Sequence, residues 1–249
     1  RGAVMIALES NLSNMMESIK KASAEDDLKA IELKTAVINA IKSRALDTAN
    51  PQSHQFLKSL ISNMESIKTL LSETDTASLT KQATNLALNT DGTVSADIQS
   101  GFIEALLSNP QLISNESVPG ESSAQRINNF VNQTLENSKN TEDTQKQSWI
   151  AMTISSSLGA AIAKMDGSSA DKLSVAQNLL IYGIRTDITD STRENIFLGF
   201  RSALPEVLNG LDVTQKQEIV NNLLTIAKNT NAPTRARLAG LALAGNLTV

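Results

Sequence analysis

The sequence predicts an all-α fold, a right-handed solenoid of about five helical hairpins that follows a leading helix. Three observations predict it. The phrase VNQTLENSKNT at 131–141 returns as VNNLLTIAKNT at 220–230, with six of eleven letters identical. A second pair, NMMESIK ending at Lys20 and SNMESIK ending at Lys68, lies 48 residues apart. The 11 glycines and 5 prolines among 249 residues are too few for a fold of many short strands and turns.

Each repeating unit contains a short polar break, followed by large apolar residues at helical spacing. The breaks centre on Pro51, Thr93, Thr144, Ser191 and Pro233, which are 42, 51, 47 and 42 residues apart. We therefore predict one domain over 1–249, with repeats at approximately 1–21 (partial), 22–72, 73–121, 122–165, 166–209 and 210–249. Pro110 and Pro119 predict an enlarged loop that explains the spacing of 51 residues.

Two helices are predicted in each unit, one on either side of the break. The first helices are predicted at 26–46, 76–89, 123–139, 170–185 and 213–229, and the second helices at 3–21, 52–72, 94–108, 145–164, 191–209 and 234–247. Capping-box spacings, which mark helix starts, occur at Ser122/Gln125, Thr144/Gln147, Ser191/Glu194 and Thr214/Gln217.

This period, with two helices in each unit, resembles the HEAT/armadillo-like α-solenoids. The resemblance rests on period and apolar register, covers nearly the whole chain, and includes no family-specific consensus. It implies that neighbouring hairpins stack into a continuous core, because one hairpin cannot bury its apolar face alone. It also implies a long surface suited to binding other proteins.

Composition excludes several classes of function. The net charge of −4 disfavours nucleic acid as a partner. The absence of cysteine excludes disulfides, thiol catalysis and cysteine-ligated zinc. The nearly apolar run at 238–245 is far shorter than the ~20 residues of a transmembrane helix. A cysteine-free chain rich in Ser, Thr and Asn favours an exported bacterial protein. Because the sequence starts at Arg1 in place of Met, we expect a cut there, made either by natural processing or by design.

No catalytic, metal-binding or cofactor-binding residue is predicted. His54, the single histidine, falls in the first turn of a predicted helix, with no nucleophile in a recognisable setting. The adjacent carboxylates Glu25, Asp26 and Asp27 fan out around a helix and do not converge on an ion. The aromatic side chains share the apolar register, so we expect them to pack in the core: Phe56, Phe102, Trp149, Tyr182, Phe197 and Phe200.

Two columns of polar residues are the candidate partner-binding sites. The first runs along the first helices as Asn39, Lys81, Asn132, Gln177 and Asn221, where amide side chains could hold a peptide backbone. The alternative is a solvated outer face. The second column holds Lys146, Arg193 and Arg235, two places after their breaks, with Arg237 nearby. It predicts a basic stripe for an acidic partner or phosphate groups, or a solvated stripe neutralised by neighbouring carboxylates.

These observations predict a non-catalytic scaffold for protein–protein interaction, with no cofactor and with a protein partner of unknown identity. The alternatives are a structural spacer within a larger secreted or surface protein, and a binder of anionic ligands through the basic stripe. The helix TRARLAGLALAGNL, at 234–247, is apolar or small almost all round. This pattern predicts either that both ends were excised from a longer chain or that the molecule self-associates through this helix.

Overall fold

The structure, a computed structural model, describes residue 14 and residues 28–47, 51–68, 71–113, 120–139, 142–209 and 211–245. Over these residues the regular structure is helical, without a strand, which confirms the all-α class. The helices are α1 (Leu28–Ala45), α2 (Pro51–Ser62), α3 (Met64–Ile67), α4 (Glu73–Leu88), α5 (Ala96–Leu107), α6 (Ser123–Lys139), α7 (Thr144–Lys164), α8 (Ser169–Gly183), α9 (Asp190–Asn209), α10 (Val213–Lys228) and α11 (Thr234–Gly245), with a 3₁₀ turn at Pro110–Leu112. No helix in these ranges has the length and apolar character needed to cross a membrane. The leading helix predicted at 3–21 lies outside the described residues, apart from Asn14.

Most helices begin and end within about three residues of the predicted bounds, and the helix predicted at 52–72 is the exception. It ends at Ser62, because Asn63 leaves the helical conformation (φ −108°, ψ 17°) and its side chain donates to the Ser59 carbonyl at 2.9 Å. The helix α4 begins earlier than predicted. There, the Asp75 N–H donates to Ser72 Oγ at 3.1 Å and the Ser72 N–H donates back to the Asp75 carboxylate at 3.3 Å, so a capping box fixes the start.

The chain divides into two compact units, residues 1–83 and residues 84–249. In the first unit, α1 packs on α2. Lys42 on α1 forms an ion pair with Asp75 on α4 at 2.5 Å. The buried apolar side chains of this unit include Leu57, Leu60, Ile61, Met64 and Leu79.

In the second unit, helices pack on their neighbours and also on the helix two places further along the chain. The contacts α5–α7, α7–α9 and α9–α11 form one series, and α6–α8 and α8–α10 form another. Side-chain hydrogen bonds show the same spacing. Asn132 and Asn178 exchange two amide hydrogen bonds across 46 residues, and the Ser148 hydroxyl donates to Ser191 across 43 residues. Contacts between these helices therefore join residues about one predicted period apart.

Polar side chains near the starts of α5, α7 and α11 donate hydrogen bonds to carbonyls at the end of the preceding helix. The Gln99 amide donates to the Ala87 carbonyl at 2.9 Å, and the Gln147 amide donates to the Lys139 carbonyl at 3.4 Å. Arg237 Nε donates to the Ala227 carbonyl at 3.0 Å. The last carbonyls of a helix have no partner within that helix, so these bonds satisfy them and fix each turn between helices.

A network of charges joins the end of α6 to the loop after α8. Arg185 donates two hydrogen bonds to the Asp187 carboxylate, at 2.9 and 2.6 Å, and also pairs with Glu136. Lys139 pairs with the same Asp187 carboxylate at 2.5 Å. The Arg185 guanidinium lies 4.7 Å from the centre of the Tyr182 ring. Burial and the Glu136 carboxylate raise the pKa of the Tyr182 hydroxyl above its usual value.

We expect Asp187→Asn to reduce the acid sensitivity of the second unit. Hydrogen bonds from Arg185, and then from Lys139, hold the pKa of the Asp187 carboxyl well below its usual value. A depressed folded-state pKa stabilises the protein above the unfolded pKa of about 3.9, and this stabilisation is lost as the pH falls towards the folded-state value. The free energy of unfolding should therefore depend less on pH below about 4 in the variant than in the wild type. Urea unfolding at a series of pH values measures this slope.

The exposed carboxylate of Asp166 offers the matched control, since Asp166→Asn removes one charge outside the network. Because the Asp187 side chain is about half exposed, salt should screen its ion pairs and shrink the difference between wild type and variant. An equal slope in wild type and Asp187→Asn at low salt would contradict the prediction.

Candidate functional site

An open groove of about 670 Å³ lies along one face of α7 in the second unit. Its walls include Glu104 of α5, the α7 residues Gln145, Trp149, Met152 and Ser156, and Ser191 and Asn195 of α9. The α7 residues are spaced i, i+4, i+7 and i+11, so they share one face of the helix. A different face of α7 is buried, including Ile150, Ile154 and Leu158. Packing of that apolar face against the neighbouring helices leaves the groove face open.

Trp149 is the large exposed side chain of this groove. It is 53% exposed, so the expectation that every aromatic residue packs in the core is wrong for Trp149. The other aromatic residues of that set are buried as expected, namely Phe56, Phe102, Tyr182, Phe197 and Phe200. The sequence itself distinguishes Trp149 from the buried aromatic residues. At helical spacing Trp149 shares its face with Gln145, Thr153 and Ser156, which are all polar.

The groove offers many hydrogen-bonding groups and little charge. The Thr153 hydroxyl donates to the Trp149 carbonyl at 3.0 Å and the Ser156 hydroxyl donates to the Thr153 carbonyl at 3.1 Å. Because both hydroxyl protons are donated to backbone carbonyls, the two hydroxyl oxygen atoms remain available to accept hydrogen bonds. The amide side chains of Gln145 and Asn195 can both donate and accept. Of the described residues that line the groove, Glu104 alone is charged.

The four predicted cations do not form an exposed stripe. Arg193 is only 8% exposed, forms an ion pair with Asp190 at 2.5 Å and donates to the Asn231 carbonyl at 3.3 Å. Lys146 is half-buried and donates to the Val94 carbonyl at 2.8 Å. Each of these two side chains therefore reaches the loop of a different neighbouring hairpin.

The remaining two cations also have local partners. Arg235 is exposed and pairs with Glu194 at 3.2 Å. Arg237 is half-buried and donates to the Ala227 carbonyl, as described above. The prediction of three aligned, exposed cations is wrong because Arg193 is buried among its own partners.

The amide column is divided between exposed positions and contacts between helices. Asn39 and Lys81 are exposed in the first unit. The side-chain amides of Asn132 and Asn178 donate hydrogen bonds to each other, at 3.2 and 3.0 Å. Gln177 donates to Glu218 at 3.3 Å, and Asn221 accepts from Gln217 at 3.3 Å. None of the described residues of this column, and none of the four cations, lines the groove around Trp149.

Helix α11 leaves part of its apolar surface exposed. Leu238 is 60% exposed and Leu241 is 53% exposed, whereas Leu243 is buried. Leu247 lies outside the described residues. Self-association through this helix stays a prediction.

Within the described ranges, no group of three or more His, Asp or Glu side chains is placed to hold a metal ion. Comparisons with known protein families, with curated proteins and with solved structures find no match for this chain. The geometry of the groove is therefore the observation from which a function can be argued.

Proposed function

We propose that this chain is a non-catalytic scaffold for protein–protein interaction, built as a right-handed α-solenoid of about five helical hairpins that follow a leading helix. The scaffold binds a partner protein through the groove around Trp149. The exposure of Trp149 is the observation that carries this proposal. A tryptophan left half in solvent, beside amide and hydroxyl groups, is typical of the aromatic residues that dominate binding energy at protein interfaces.

Two features support the solenoid. The helix contacts of the second unit, α5–α7–α9–α11 and α6–α8–α10, join elements one hairpin apart. In addition, side-chain hydrogen bonds between these helices link residues about one sequence period apart, as in Asn132–Asn178 and Gln177–Glu218. Repeat proteins in which each unit contacts its neighbours have this pattern.

The groove also favours a binding scaffold over a simple spacer. A spacer requires a polar surface without a concentrated apolar feature, whereas Trp149 and Met152 lie together in one concave region. A binder of anionic ligands would require exposed cations that converge, and Arg193 is buried. The groove itself contributes a carboxylate, from Glu104.

Site-specific photo-crosslinking tests this function. A benzoylphenylalanine at Ser156, which is exposed in the groove, should capture a discrete partner in an extract of the source organism. The same probe at Asn221, an exposed position on α10, is the matched control. Combining the Ser156 probe with Trp149→Ala should remove most of the adduct, because the indole supplies much of the contact area.

Two results would argue against a binding groove at this place. One is the same set of adducts from Ser156 and Asn221, which would indicate non-specific capture. The other is an adduct from Ser156 that keeps its yield after Trp149→Ala.

A further inference from the structure

Apolar side chains are exposed on two neighbouring helices, on the face that forms the groove. On α7 the exposed side chain is that of Trp149, which is 53% exposed, and the half-buried Met152 lies beside it in the groove. On α9, Leu198 is 40% exposed. It lies three residues after Asn195 and seven after Ser191, so it shares the helix face of these two groove residues. An exposed apolar side chain therefore lies on the groove side of α9, next to the polar residues by which α9 lines the groove.

A carboxylate lies on the third helix of the same series. Glu104 is on α5, which packs on α7, and α7 in turn packs on α9. A ligand that crosses the three helices in this order meets first a negative charge, then Trp149 with Met152, and then Leu198. Packed helices have axes about 8–10 Å apart, which sets the distance between successive features.

This distance fits one peptide conformation better than others. A polyproline II segment rises about 3.1 Å per residue with three residues per turn, so every third side chain points the same way after about 9.3 Å. A β-strand repeats its side-chain direction after two residues, or about 6.6 Å, which does not match. An α-helical ligand repeats its side-chain direction after about 5.4 Å, or after about 10.5 Å over seven residues, and neither distance falls within the range of 8–10 Å.

The groove also has donors suited to such a segment. The carbonyls of a polyproline II backbone have no internal partners. The indole N–H of Trp149 and the amides of Gln145 and Asn195 can donate hydrogen bonds to them. Aromatic grooves that recognise proline-rich segments use this combination of aromatic faces and donors.

We propose that the groove binds a polyproline II segment of a partner protein, in which a Lys or Arg and two large apolar residues are spaced three residues apart. The cation lies against Glu104, the first apolar side chain lies against Trp149 and Met152, and the second lies against Leu198. This inference rests on the proposed scaffold function and specifies the partner segment that it binds.

Synthetic peptides test the spacing and the charge separately. The probe is a fluorescein-labelled peptide of sequence KPPLPPL, followed by fluorescence anisotropy. Trp149 is the only tryptophan of the chain, so its emission gives a second, label-free readout. The comparison peptides are KPPLPPPL, which separates the leucines by four residues, and EPPLPPL, which reverses the charge. We expect each change to weaken binding about fivefold to tenfold.

Variants on the protein assign these effects to residues. Glu104→Gln should remove most of the preference for KPPLPPL over EPPLPPL while keeping the preference for the spacing of three. Leu198→Ser should remove the preference for the spacing while keeping the preference for lysine. Both side chains are on the surface, and circular dichroism checks that both variants fold. Trp149→Ala should abolish binding of all three peptides.

The outcomes distinguish this inference from the scaffold function. Equal affinities for KPPLPPL and KPPLPPPL would overturn the inference, although Trp149-dependent binding would still support a peptide-binding groove. No binding of any peptide, with a Trp149-dependent adduct retained at Ser156, would also overturn it and leave the scaffold function standing. If the adduct at Ser156 is absent as well, both proposals fall.

Discussion

Gly199→Ala is expected to lower the free energy of unfolding by about 1–3 kcal/mol, the usual cost of overpacking a core contact. A Cβ at residue 199 would lie 1.9 Å from Ser155 Oγ and 2.9 Å from the Met152 carbonyl oxygen. Ser155 cannot turn away without loss, because its hydroxyl is held within hydrogen-bonding distance of the Ala151 and Asn195 carbonyls. The methyl group must therefore separate α7 from α9.

The double variant Gly199→Ala with Ser155→Gly refines this prediction. Ser155→Gly removes the contact with the serine side chain but keeps the contact with the Met152 backbone. We therefore expect Gly199→Ala to lower the free energy of unfolding in the Ser155→Gly background too, but by less than in the wild type. Gly245→Ala is the matched control, since a Cβ there meets nothing within 4 Å. It should change stability by less than about 0.5 kcal/mol. Equal midpoints of urea unfolding for Gly199→Ala and Gly245→Ala would contradict the close approach of α7 and α9.

The sequence predicts the helices well because period and break residues recur. The helix α6 begins and ends at the predicted residues, 123 and 139. Its predicted capping box is present: the Gln125 N–H donates to Ser122 Oγ at 3.2 Å and the Gln125 side chain accepts from the Ser122 N–H at 2.8 Å. Ser123 is an equally good residue type for the N-cap, but it is followed three residues later by Arg126, so Ser122 alone fits the capping-box spacing here.

Other helix starts have competing caps, and the sequence pattern selects the wrong one. The cap of α7 is Asp143, which accepts from the N–H groups of Gln145 and Lys146, and not the predicted Thr144. The cap of α10 is Asp212, two residues before the predicted Thr214. At α9, Thr189 accepts from the Thr192 N–H at 3.1 Å, in place of a cap at Ser191. Asp, Ser and Thr are all good N-caps, so neighbouring candidates cannot be ranked by residue type.

These small shifts explain why the candidate site was missed. Counting from Thr144 and Ser191 equates Trp149 with Ile196, which is buried. Counting from the caps at Asp143 and Thr189 instead equates Trp149 with Asn195, and both line the groove. One residue corresponds to about 100° of rotation on a helix, which is enough to move a side chain from the core to the surface.

The same shift separates the predicted cations. Lys146 lies three residues after its cap, and Arg193 lies four residues after its cap. The two side chains therefore point in different directions and reach different loops, at Val94 and Asn231. A column of residues read from sequence is reliable only when the helix starts are known to the residue.

We expect the largest difference in stability between the alanine variants of Phe197 and Trp149, two aromatic residues that the sequence pattern places in the same apolar register. Phe197 is completely buried on α9, and its ring lies against the place where a Cβ of Gly183 on α8 would be, 3.0 Å from it. Phe197→Ala should therefore lower the free energy of unfolding by about 3–5 kcal/mol, as truncations of core phenylalanines do. Trp149→Ala removes a larger side chain but one that is half in solvent, so we expect a loss of about 1 kcal/mol or less.

Far-UV circular dichroism in urea measures both variants, because Trp149→Ala removes the fluorescent reporter. The two compact units can unfold in separate transitions, so the comparison should use the transition that Phe197→Ala shifts. Peptide binding should show the opposite order. Phe197→Ala should keep the affinity for KPPLPPL under conditions in which the variant is folded, whereas Trp149→Ala should lose it. Comparable losses of stability in the two variants would place Trp149 in the core and remove the basis of the groove.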